Sequence, residues 1–345
     1  MQVLKQVNLA PYTTFGIGGP ARWFIEASTE EDVLEAVRFA REQNAPLFVL
    51  GGGSNLLVSD AGFPGVVLHI ALKGIEQQHL GAATGFSVAA GEDWDAFVTV
   101  AVCQNCGGIE CLAGIPGSVG GTPVQNVGAY GQEVAETIRL VRALDLQATR
   151  FVDLSAAECG FAYRRSIFNS SHRDRYIVTS VQYELKNGVD PVVSYADLKR
   201  YFQNWKFSPA LPEVSSAVRE IRRGKGMLIV PGDPDCRSAG SFFKNPVISA
   251  EHFEQIVTSS NGANVPHYPV ADGQVKVPAA WLLDQAGFHK GYVLGRAGIS
   301  SKHTLALINR DGASASDIAA LRDVIIAMVV EKFAIHLEPE PVWVG

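Results

Sequence analysis

Several features that mark common protein classes are scarce or missing in this sequence. Charged residues make up 19% of its 345 residues, and the net charge at pH 7 is -6. No run of lysines and arginines is dense enough to follow a phosphate backbone, so we expect no nucleic-acid partner. No stretch of about 18 apolar residues occurs, so we expect no membrane span. The eight histidines contain no His-x-x-x-His pair, and we expect no metal site.

The cysteines do not suggest a disulfide framework, because their number is odd, five, and they are spread unevenly. Cys103 and Cys106 have the spacing of a metal or redox pair, but no second Cys or His pair completes a zinc site. They lie at the end of an apolar stretch, so we expect buried, reduced thiols. The first 14 residues show no signal-peptide pattern. These features predict a cytoplasmic protein.

What the sequence does contain is two glycine-rich segments without charged residues. The longer one runs from Ala113 to Gly131 and holds six glycines and two prolines, and the shorter one is Gly51-Gly52-Gly53-Ser54-Asn55. Glycine lets backbone N–H groups approach a ligand closely, and consecutive N–H groups form a concavity that binds anions. One such segment alone is more typical of a tight turn. The pair favours a pyrophosphate held by backbone groups.

A third glycine segment imitates a dinucleotide-binding motif. Gly16-Ile17-Gly18-Gly19-Pro20-Ala21 matches the pattern G-x-G-x-x-A. That pattern has its meaning only between a strand and a helix. Here Pro20 lies inside the motif, and the residues that follow it, 21–25, predict a strand. We therefore expect no Rossmann fold.

Apolar spacing predicts mixed helices and strands along the whole chain. The predicted strands are residues 21–25, 47–50, 66–70, 86–90, 138–146, 176–185 and 305–309, with a proline-broken, strand-like tail at 334–344. The predicted helices are one that begins at the capping residues 28–32, then residues 93–103, 211–223, 250–257, 279–285 and 316–333. Residues 224–240 are rich in Gly, Pro, Asp and Ser, and we place the main domain boundary there.

Three further segments, taken with the glycine segments, carry a family resemblance. They are residues 161–168 (FAYRRSIF), Gly240-Ser241-Phe242-Phe243-Lys244-Asn245-Pro246 and Leu337-Glu338-Pro339-Glu340. In order and spacing they resemble the UDP-N-acetylenolpyruvoylglucosamine reductases of peptidoglycan synthesis, from about Thr13 to the C-terminus. The segment from Gly240 to Pro246 is highly specific, whereas each glycine segment alone is a weak indication.

The resemblance implies an α+β fold. An FAD-binding half of the vanillyl-alcohol-oxidase (PCMH) type would be followed by an α/β substrate-binding domain. The implied boundaries are residues 1–72 with the C-terminal strand 337–345 for the first FAD-binding subdomain, 73–223 for the second, and 224–336 for the substrate domain. We expect a monomer.

The resemblance also implies the reaction. An NADPH-dependent flavoenzyme would reduce the enolpyruvyl vinyl ether of UDP-N-acetylglucosamine enolpyruvate to the lactyl ether of UDP-N-acetylmuramate. The implied partners are this UDP-sugar and NADPH. Many flavin oxidases tether their flavin through His or Cys in such glycine segments. Neither residues 51–58 nor 113–131 contain either residue, so we expect dissociable FAD.

Three residues are implied as catalytic: Arg164, Ser241 and Glu340. Hydride addition to the enolpyruvyl group pushes negative charge into its carboxylate, and a guanidinium such as Arg164 holds a carboxylate in a two-pronged contact. If its segment is extended, Arg165 points to the other side. Ser241 would protonate the adjacent carbon, where close contact matters more than its pKa. Glu340 beside a substrate carboxylate would be either protonated or used to orient a donor.

The remaining implied residues bind FAD or substrate. Those for FAD are Gly51, Gly52, Gly53, Ser54, Asn55, Ile115, Pro116, Gly117, Gly121, Thr122, Gln125, Asn126, Gly128, Ala129 and Tyr130. Those for substrate are Tyr163, Tyr195, Arg222, Lys225, Asn245, Tyr268 and Lys290. Tyr268 places the chain with family members that carry an extra tyrosine-bearing loop over the substrate, and we expect no regular element there. One departure is the segment at residues 226–234, which is longer and more apolar than in many members.

Two other functions stay open at this stage. A flavin oxidase on the same scaffold would share the glycine segments. A nucleotide-sugar-binding protein without turnover would share the substrate residues but would not need Arg164, Ser241 and Glu340 together.

Overall fold

The computed structural model describes residues 1–259 and 264–345. Numbered in chain order, the strands of these residues are β1 Val3–Asn8, β2 Pro20–Ala27, β3 Leu47–Leu50, β4 Leu56–Val58, β5 Phe63–Ile70, β6 Ile75–His79, β7 Ala83–Ala89, β8 Cys106–Gly107, β9 Gly128–Ala129, β10 Gln132–Glu133, β11 Ile138–Asp145, β12 Arg150–Ser155, β13 Tyr176–Asn187, β14 Val247–Ser249, β15 Tyr268–Pro269, β16 Gln274–Lys276, β17 Val293–Leu294, β18 Ala297–Ile299, β19 Leu307–Asn309 and β20 Val342–Val344. The helices are α1 Glu30–Glu42, α2 Trp94–Cys103, α3 Ala196–Phe202, α4 Leu211–Gly224, α5 Ala250–Ser259, α6 Ala279–Gln285 and α7 Ala315–Phe333.

The chain divides into two compact units. The first unit comprises Met1–Val7, Pro20–Gly53 and Phe63–Gly224, and the second comprises Asn8–Gly19, Ser54–Gly62 and Lys225–Gly345. The predicted division of the first 223 residues at residue 72 stays a prediction. The two main sheets of the first unit occupy residues 3–70 and 75–187.

The first sheet of the first unit has the strand order β1-β2-β5-β3, and both β2 and β3 run parallel to β5. Helix α1 packs on it. Thr29 accepts a hydrogen bond from the backbone of Asp32, whose side chain reaches back to the Thr29 backbone, so a capping box starts the helix. The buried residues of α1 recur at the spacing of one helical face; they are Val33, Ala36, Val37 and Ala40.

The second sheet of the first unit is antiparallel, with the order β12-β11-β13-β7-β6 and with β8 paired to β13. Helix α2 begins after Asp93, whose side chain accepts from the Ala96 backbone. Its aromatic residues Trp94 and Phe97 are buried in contact with Tyr183 of β13. One continuous apolar core thus includes residues of both sheets.

In the residues that the structure describes, the second unit is built from small sheets and the helices α5, α6 and α7. Its sheets have the orders β14-β16-β15, β17-β18-β19 and β20-β4, and β20 runs parallel to β4. Helix α7 starts with a capping box between Ser314 and Asp317. The apolar core of the unit surrounds α6 and α7 and includes the adjacent rings of Phe242 and Phe243.

Most predicted elements are confirmed. Helix α6 has the predicted bounds, and α4 and α7 differ from them by one residue. Residues 21–25 lie inside strand β2, which confirms that the motif at Gly16 does not lead into a helix. The tail is less regular than predicted, because within residues 334–344 only Val342–Val344 form a strand.

The prediction of buried cysteines is wrong for one residue. Cys106, Cys111, Cys159 and Cys236 are buried and free, but Cys103 is exposed. It is the last residue of α2, and the helix turns this position away from the core. Among the residues that the structure describes, no group of His, Cys, Asp and Glu could hold a metal ion. No helix in the same residues has the length and apolar character that crossing a membrane requires.

Candidate functional site

The glycine segments of the first unit pack directly against each other. Strand β3 ends at Leu50, and Gly51–Gly53 follow it as a loop. A Cβ atom added to Gly52 would lie 2.5 Å from Cα of Gly117 and 2.7 Å from the backbone N of Ser118. No side chain fits at that distance, so glycine is required at residue 52. The two segments therefore meet backbone to backbone, and amide groups rather than side chains form this part of the unit.

Two charged side chains, those of Asp95 and Arg222, hydrogen-bond to the beginning of the longer glycine segment. The N–H of Gly114 donates to Asp95 at 2.6 Å, and the carbonyl of Gly114 accepts from Nε of Arg222 at 2.9 Å. Arg219 donates to the same Asp95 carboxylate at 2.7 Å. Asp95 and Arg219 were not predicted as site residues. Nothing in their local sequence distinguishes them from ordinary surface charges on helices α2 and α4.

Two side chains predicted to bind FAD are used within the protein. The hydroxyl of Thr122 is buried and hydrogen-bonds with Val119 O and with the Tyr183 hydroxyl. Asn126 is buried, donates to Glu133 and to Ala162 O, and accepts from the backbone of Ala135. Any contact of these two residues with a ligand would therefore involve the backbone.

Tyr130 lies in a tight hairpin turn between β9 and β10. Tyr130 (φ 50°) and Gly131 (φ 88°) both adopt positive φ, as a two-residue hairpin turn of the I′ type requires. The Tyr130 ring is buried and stands edge-on to Tyr195 at 5.4 Å between centroids. Arg222 donates to the Tyr130 hydroxyl. The fold thus brings together three predicted residues, Tyr130, Tyr195 and Arg222.

Arg222 is almost completely shielded from solvent. It is 9% exposed. Burial lowers the pKa of its guanidinium, while Tyr130 and Asp95 act in the opposite direction. Its hydrogen bonds with Gly114 O and the Tyr130 hydroxyl place it against the longer glycine segment, where it holds the backbone in position.

Arg164 occupies a tight turn and not an extended segment. The backbones of Ala162 and Arg165 hydrogen-bond to each other in both directions, at 2.9 and 3.0 Å, so Tyr163 and Arg164 are the central residues of the turn. Arg164 has a φ of 53°. The extended segment that would make Arg164 and Arg165 point to opposite sides is therefore not present, because the chain reverses at Tyr163 and Arg164. Arg164 is half-buried, and Tyr163 and Arg165 are exposed.

The surroundings of Arg164 connect it to the glycine segment. An atom at the Cβ position of Gly128 would lie 3.5 Å from its Nη1, so the guanidinium lies next to this glycine. The guanidinium also lies 5.7 Å above the ring of Tyr163. These contacts bring the predicted residues Gly128, Tyr163 and Arg164 together in the first unit.

In the second unit, Ser241 and Glu340 lie on two neighbouring extended segments. Phe243 forms an antiparallel bridge with Pro339, and the N–H of Glu340 donates to Phe242 O at 2.8 Å. Phe242 and Phe243 are 2% and 1% exposed and anchor one segment in the core. Ser241 precedes this pair and is half-buried, as is Glu340. The two predicted residues are therefore held near each other by a buried aromatic anchor.

Other contacts distinguish the two glutamates of the C-terminal segment. The Glu338 carboxylate, 70% exposed, accepts from Lys244 at 2.6 Å. The carbonyl of Glu340 accepts from the side chain of Asn55 at 3.3 Å. Asn55, predicted to bind FAD, thus adjoins the backbone of a predicted catalytic residue.

A group of basic side chains forms a second feature of this unit. Burial, and then the cations of Lys225 and Lys290, together lower the pKa of His303 from an ordinary 6.5 to about 4. The backbone N–H of Leu305 donates to Nδ1 of His303 at 3.1 Å, so Nδ1 is an acceptor and the neutral ring carries its proton on Nε2. The predicted residues Lys225 and Lys290 therefore both act on His303, which was not predicted. Nothing in the sequence around this histidine indicated that it lies near the two lysines.

Asn245 and Tyr268 occupy different environments. Oδ1 of Asn245 accepts from the backbone of Ala279 at 2.9 Å and thereby holds the first turn of α6. Tyr268 is 59% exposed. It belongs to the short strand β15, paired with β16, so the prediction of no regular element there is wrong. The segment forms a strand despite the neighbouring prolines because Tyr268 pairs with Lys276 of β16.

The unusual segment at residues 226–234 is held by its own polar contacts. Gly226 has a φ of 65°, and an added Cβ would lie 3.1 Å from the side chain of Asp235. Asp233 pairs with Lys302 at 2.5 Å, and Asp235 accepts from Ser301 at 2.7 Å. These contacts tie the segment to the turn that precedes His303.

Comparison with known proteins links both parts of the chain to named families. The model described as UDP-N-acetylenolpyruvoylglucosamine reductase, C-terminal domain, matches residues 233–344, and that of an FAD binding domain matches residues 21–152. The UDP-N-acetylenolpyruvoylglucosamine reductase of Thermobifida fusca (strain YX) is 46% identical over 349 residues, covering 99% of this chain and 98% of the relative. The protein of the same name from Streptomyces coelicolor is 45% identical over 354 residues, covering 100% and 91%. A crystal structure of the enzyme from Thermus caldophilus aligns over 100% of both chains, with 28% identity and a TM-score of 0.67.

Proposed function

Because this chain belongs to the UDP-N-acetylenolpyruvoylglucosamine reductase family, we propose that it reduces UDP-N-acetylglucosamine enolpyruvate to UDP-N-acetylmuramate with NADPH. The observation that carries the proposal is the identity to curated reductases over nearly the full length of both chains. The predicted FAD-binding half is confirmed by the family match at residues 21–152. The product is a precursor of peptidoglycan.

The glycine segments fit an FAD diphosphate. Gly52 and Gly117 pack together without side chains between them. Asp95 and Arg222 hold the longer segment through hydrogen bonds to the backbone of Gly114. Backbone N–H groups of residues 51–53, Ile115 and Gly117 would hold the diphosphate without a lysine or arginine. The N–H groups of residues 119–121 donate to carbonyls of the protein. When bound, FAD takes electrons from NADPH and supplies the hydride that adds to the enolpyruvyl double bond. The assignment of Ser54, Asn55, Gln125, Ala129 and the other predicted FAD residues stays a prediction.

Arg164 would bind the enolpyruvyl carboxylate. Negative charge builds up on that carboxylate during hydride addition, so a cation already in place stabilises the transition state more than the ground state. The half-buried guanidinium of Arg164, set in a turn with fixed backbone hydrogen bonds, meets this requirement. A lysine in its place would offer a single charged point instead of a planar fork.

Ser241 would donate the proton that completes the reduction. A serine hydroxyl is a weak acid, and it becomes competent only when held against a strongly basic carbon. The buried Phe242 and Phe243 next to it restrict the motion of this segment. That anchoring supports Ser241 as a proton donor of fixed position.

Glu340 would act beside Ser241. Its backbone is hydrogen-bonded to the segment that carries Ser241, whereas the exposed Glu338 is paired with Lys244. A protonated Glu340, or one that orients a donor, could lie next to a carboxylate-bearing substrate without repulsion.

Apart from Arg222, the remaining predicted substrate residues would hold the UDP-sugar. Lys225 and Lys290 concentrate positive charge near His303, as a diphosphate requires. Asn245 and the exposed tyrosines at positions 163, 195 and 268 offer hydrogen bonds to sugar and phosphate. Five free thiols suit a reducing cytoplasm, which we propose as the location of the enzyme.

The proposal is tested by substrate-dependent turnover. Adding the enolpyruvyl substrate to the purified protein and NADPH without oxygen should consume NADPH in equal amount to the substrate. Consumption of NADPH that requires oxygen and not substrate would indicate a flavin oxidase. Substrate binding with no loss of NADPH would indicate a nucleotide-sugar-binding protein.

A further inference from the structure

The turn that carries Arg164 is held from one side by Asn169. Nδ2 of Asn169 donates to the carbonyl of Arg164 at 3.2 Å, and its Oδ1 accepts from the backbone of Ser166 at 3.0 Å. One amide side chain therefore joins the backbone on both sides of Arg165. The carbonyl it holds belongs to the residue with positive φ. A left-handed arginine is disfavoured on its own, so contacts outside the turn must retain it.

Two buried side chains attach the same turn to the glycine segment. Oγ of Ser166, which is fully buried, donates to Val124 O at 2.6 Å. Nδ2 of Asn126, which is 1% exposed, donates to Ala162 O at 3.1 Å. The Ala162–Arg165 turn is thus fixed at its start by Asn126, at its end by Ser166, and at Arg164 itself by Asn169.

We propose that Asn169 is a positioning residue for Arg164, which sets the direction of the guanidinium toward the substrate carboxylate. The inference rests on the proposed function of Arg164. Preorganisation explains why such a bond matters, because a displacement of about 1 Å in a charged group can remove a large part of its catalytic effect. Asn169 acts only through the backbone of Arg164 and does not itself contact substrate.

A different reading gives Asn169 only a local structural role. Its Oδ1 caps the short helical turn at Ile167–Asn169 together with Ser166. Loss of that cap alone would lower stability and leave catalysis intact. The two roles use different atoms of one side chain, Oδ1 for the cap and Nδ2 for Arg164, so they can be separated.

The substitution Asn169→Asp separates them. It keeps an oxygen to accept from Ser166 and replaces the Nδ2 donor with an oxygen that faces the Arg164 carbonyl. We expect kcat/KM for the UDP-sugar to fall about 10- to 100-fold. Reduction of bound flavin by NADPH, flavin content and melting temperature should stay close to those of the parent protein.

Asn187→Asp is a matched control. Nδ2 of Asn187 donates to Gly81 O, also at 3.2 Å and also in the first unit, and its Oδ1 accepts from Thr84. The same atom exchange is made there, away from Arg164. Its kcat/KM should be unchanged. An equal loss in both variants would overturn the proposal, because it would show a general effect of the exchange.

A double-substitution cycle gives the decisive result. In an Arg164→Ala background, Asn169→Asp should cause no further loss of kcat/KM, because the residue it positions is gone. Additive losses would overturn the proposal. Asn169→Ala removes both hydrogen bonds and introduces no carboxylate, so it controls for a new contact made by the Asp side chain. It should also cause no further loss in the Arg164→Ala background. If Arg164→Ala itself retains full activity, the proposed function of Arg164 is wrong. If Asn169→Asp alone retains full activity, the proposed role of Asn169 is wrong and that of Arg164 stands.

Discussion

Arg222 donates from Nε to the carbonyl oxygen of Gly114 at 2.9 Å, across 108 residues of sequence. The N–H of the same glycine donates to Asp95. The peptide groups on both sides of Gly114 are thus held by side chains, just before the backbone predicted to meet the FAD diphosphate. A residue that the family pattern assigns to substrate has a supporting position in this fold.

Replacing Arg222 by alanine should weaken both folding and FAD binding. The carbonyl of Gly114 would lose its partner in a buried place, which costs about 1–3 kcal/mol of the free energy of unfolding. Chemical denaturation and the FAD dissociation constant measure the two effects. Arg223→Ala is the matched control, since Arg223 is the exposed neighbour on the same helix and should change stability by less than about 0.5 kcal/mol. An Arg222→Ala protein with normal stability and normal FAD affinity would contradict the supporting role.

The bound flavin should be released intact when the protein is unfolded. Residues 51–58 and 113–131 contain no His or Cys that could form a covalent tether. Acid or heat should therefore leave all yellow colour in the supernatant, and chromatography should identify it as FAD. Colour that stays with the precipitated protein, or release of FMN, would refute the interpretation of the glycine segments.

Ser241→Ala should separate the two halves of the reaction. Reduction of the flavin by NADPH needs no proton from Ser241 and should proceed at nearly the parent rate. Oxidation of the reduced flavin by substrate should slow by at least about 100-fold, the scale of lost general acid catalysis. Stopped-flow absorbance follows each half separately. Equal slowing of both halves would instead assign Ser241 a structural role beside Phe242.

Tyr268 should matter for substrate and not for folding. It is 59% exposed, so Tyr268→Ala should not cost the roughly 3–5 kcal/mol that removal of a core aromatic costs. Tyr268→Phe should weaken substrate binding by about 0.5–1.5 kcal/mol, the net contribution of one hydrogen bond. Melting temperatures and substrate dissociation constants of both variants test this. A large melting shift with unchanged affinity would rule out a lid over the substrate.

His303 should make stability depend on pH in mild acid. Burial, then Lys225 and Lys290, lower its folded-state pKa from an ordinary 6.5 to about 4. Between these pH values the unfolded chain binds a proton that the folded protein does not, so stability decreases as the pH falls from about 6.5 to 4. His303→Asn should flatten the dependence of melting temperature on pH over this interval. Equal slopes in both proteins would show that other groups are responsible.

Elements with local signals were predictable from sequence. Helix α1 begins where Thr29 and Asp32 form a capping box, and both residues belong to the stretch that predicted it. Helix α6 has its predicted bounds. Caps and apolar spacing act over a few residues, so a window of the chain contains the information. The glycine segments were recognisable for the same reason, because their conformational freedom is a property of each residue.

The Arg164 turn was not predictable in this way. The pattern Tyr-Arg-Arg-Ser does not indicate whether the segment is extended or turned, and the structure shows a reversal in which Arg164 has positive φ. The reversal depends on Asn126, which precedes the turn by 36 residues, and on Ser166 bonded to a carbonyl 42 residues away. The backbone preference of an arginine residue opposes a positive φ, and only contacts between distant segments overcome this preference.

The sequence by itself determined the family, the FAD-binding half, most helices and strands, and the residues that are candidates for catalysis. Tertiary structure alone decided what several of them contact. It placed Arg222 behind Gly114, used the side chain of Asn126 inside the protein, and set Lys225 and Lys290 near a histidine that no pattern indicated. The physical reason is the range of the interactions. Propensities and caps act between neighbours in the chain, whereas burial, hydrogen bonding across loops and the electrostatic effect of nearby cations depend on which distant residues the fold brings together.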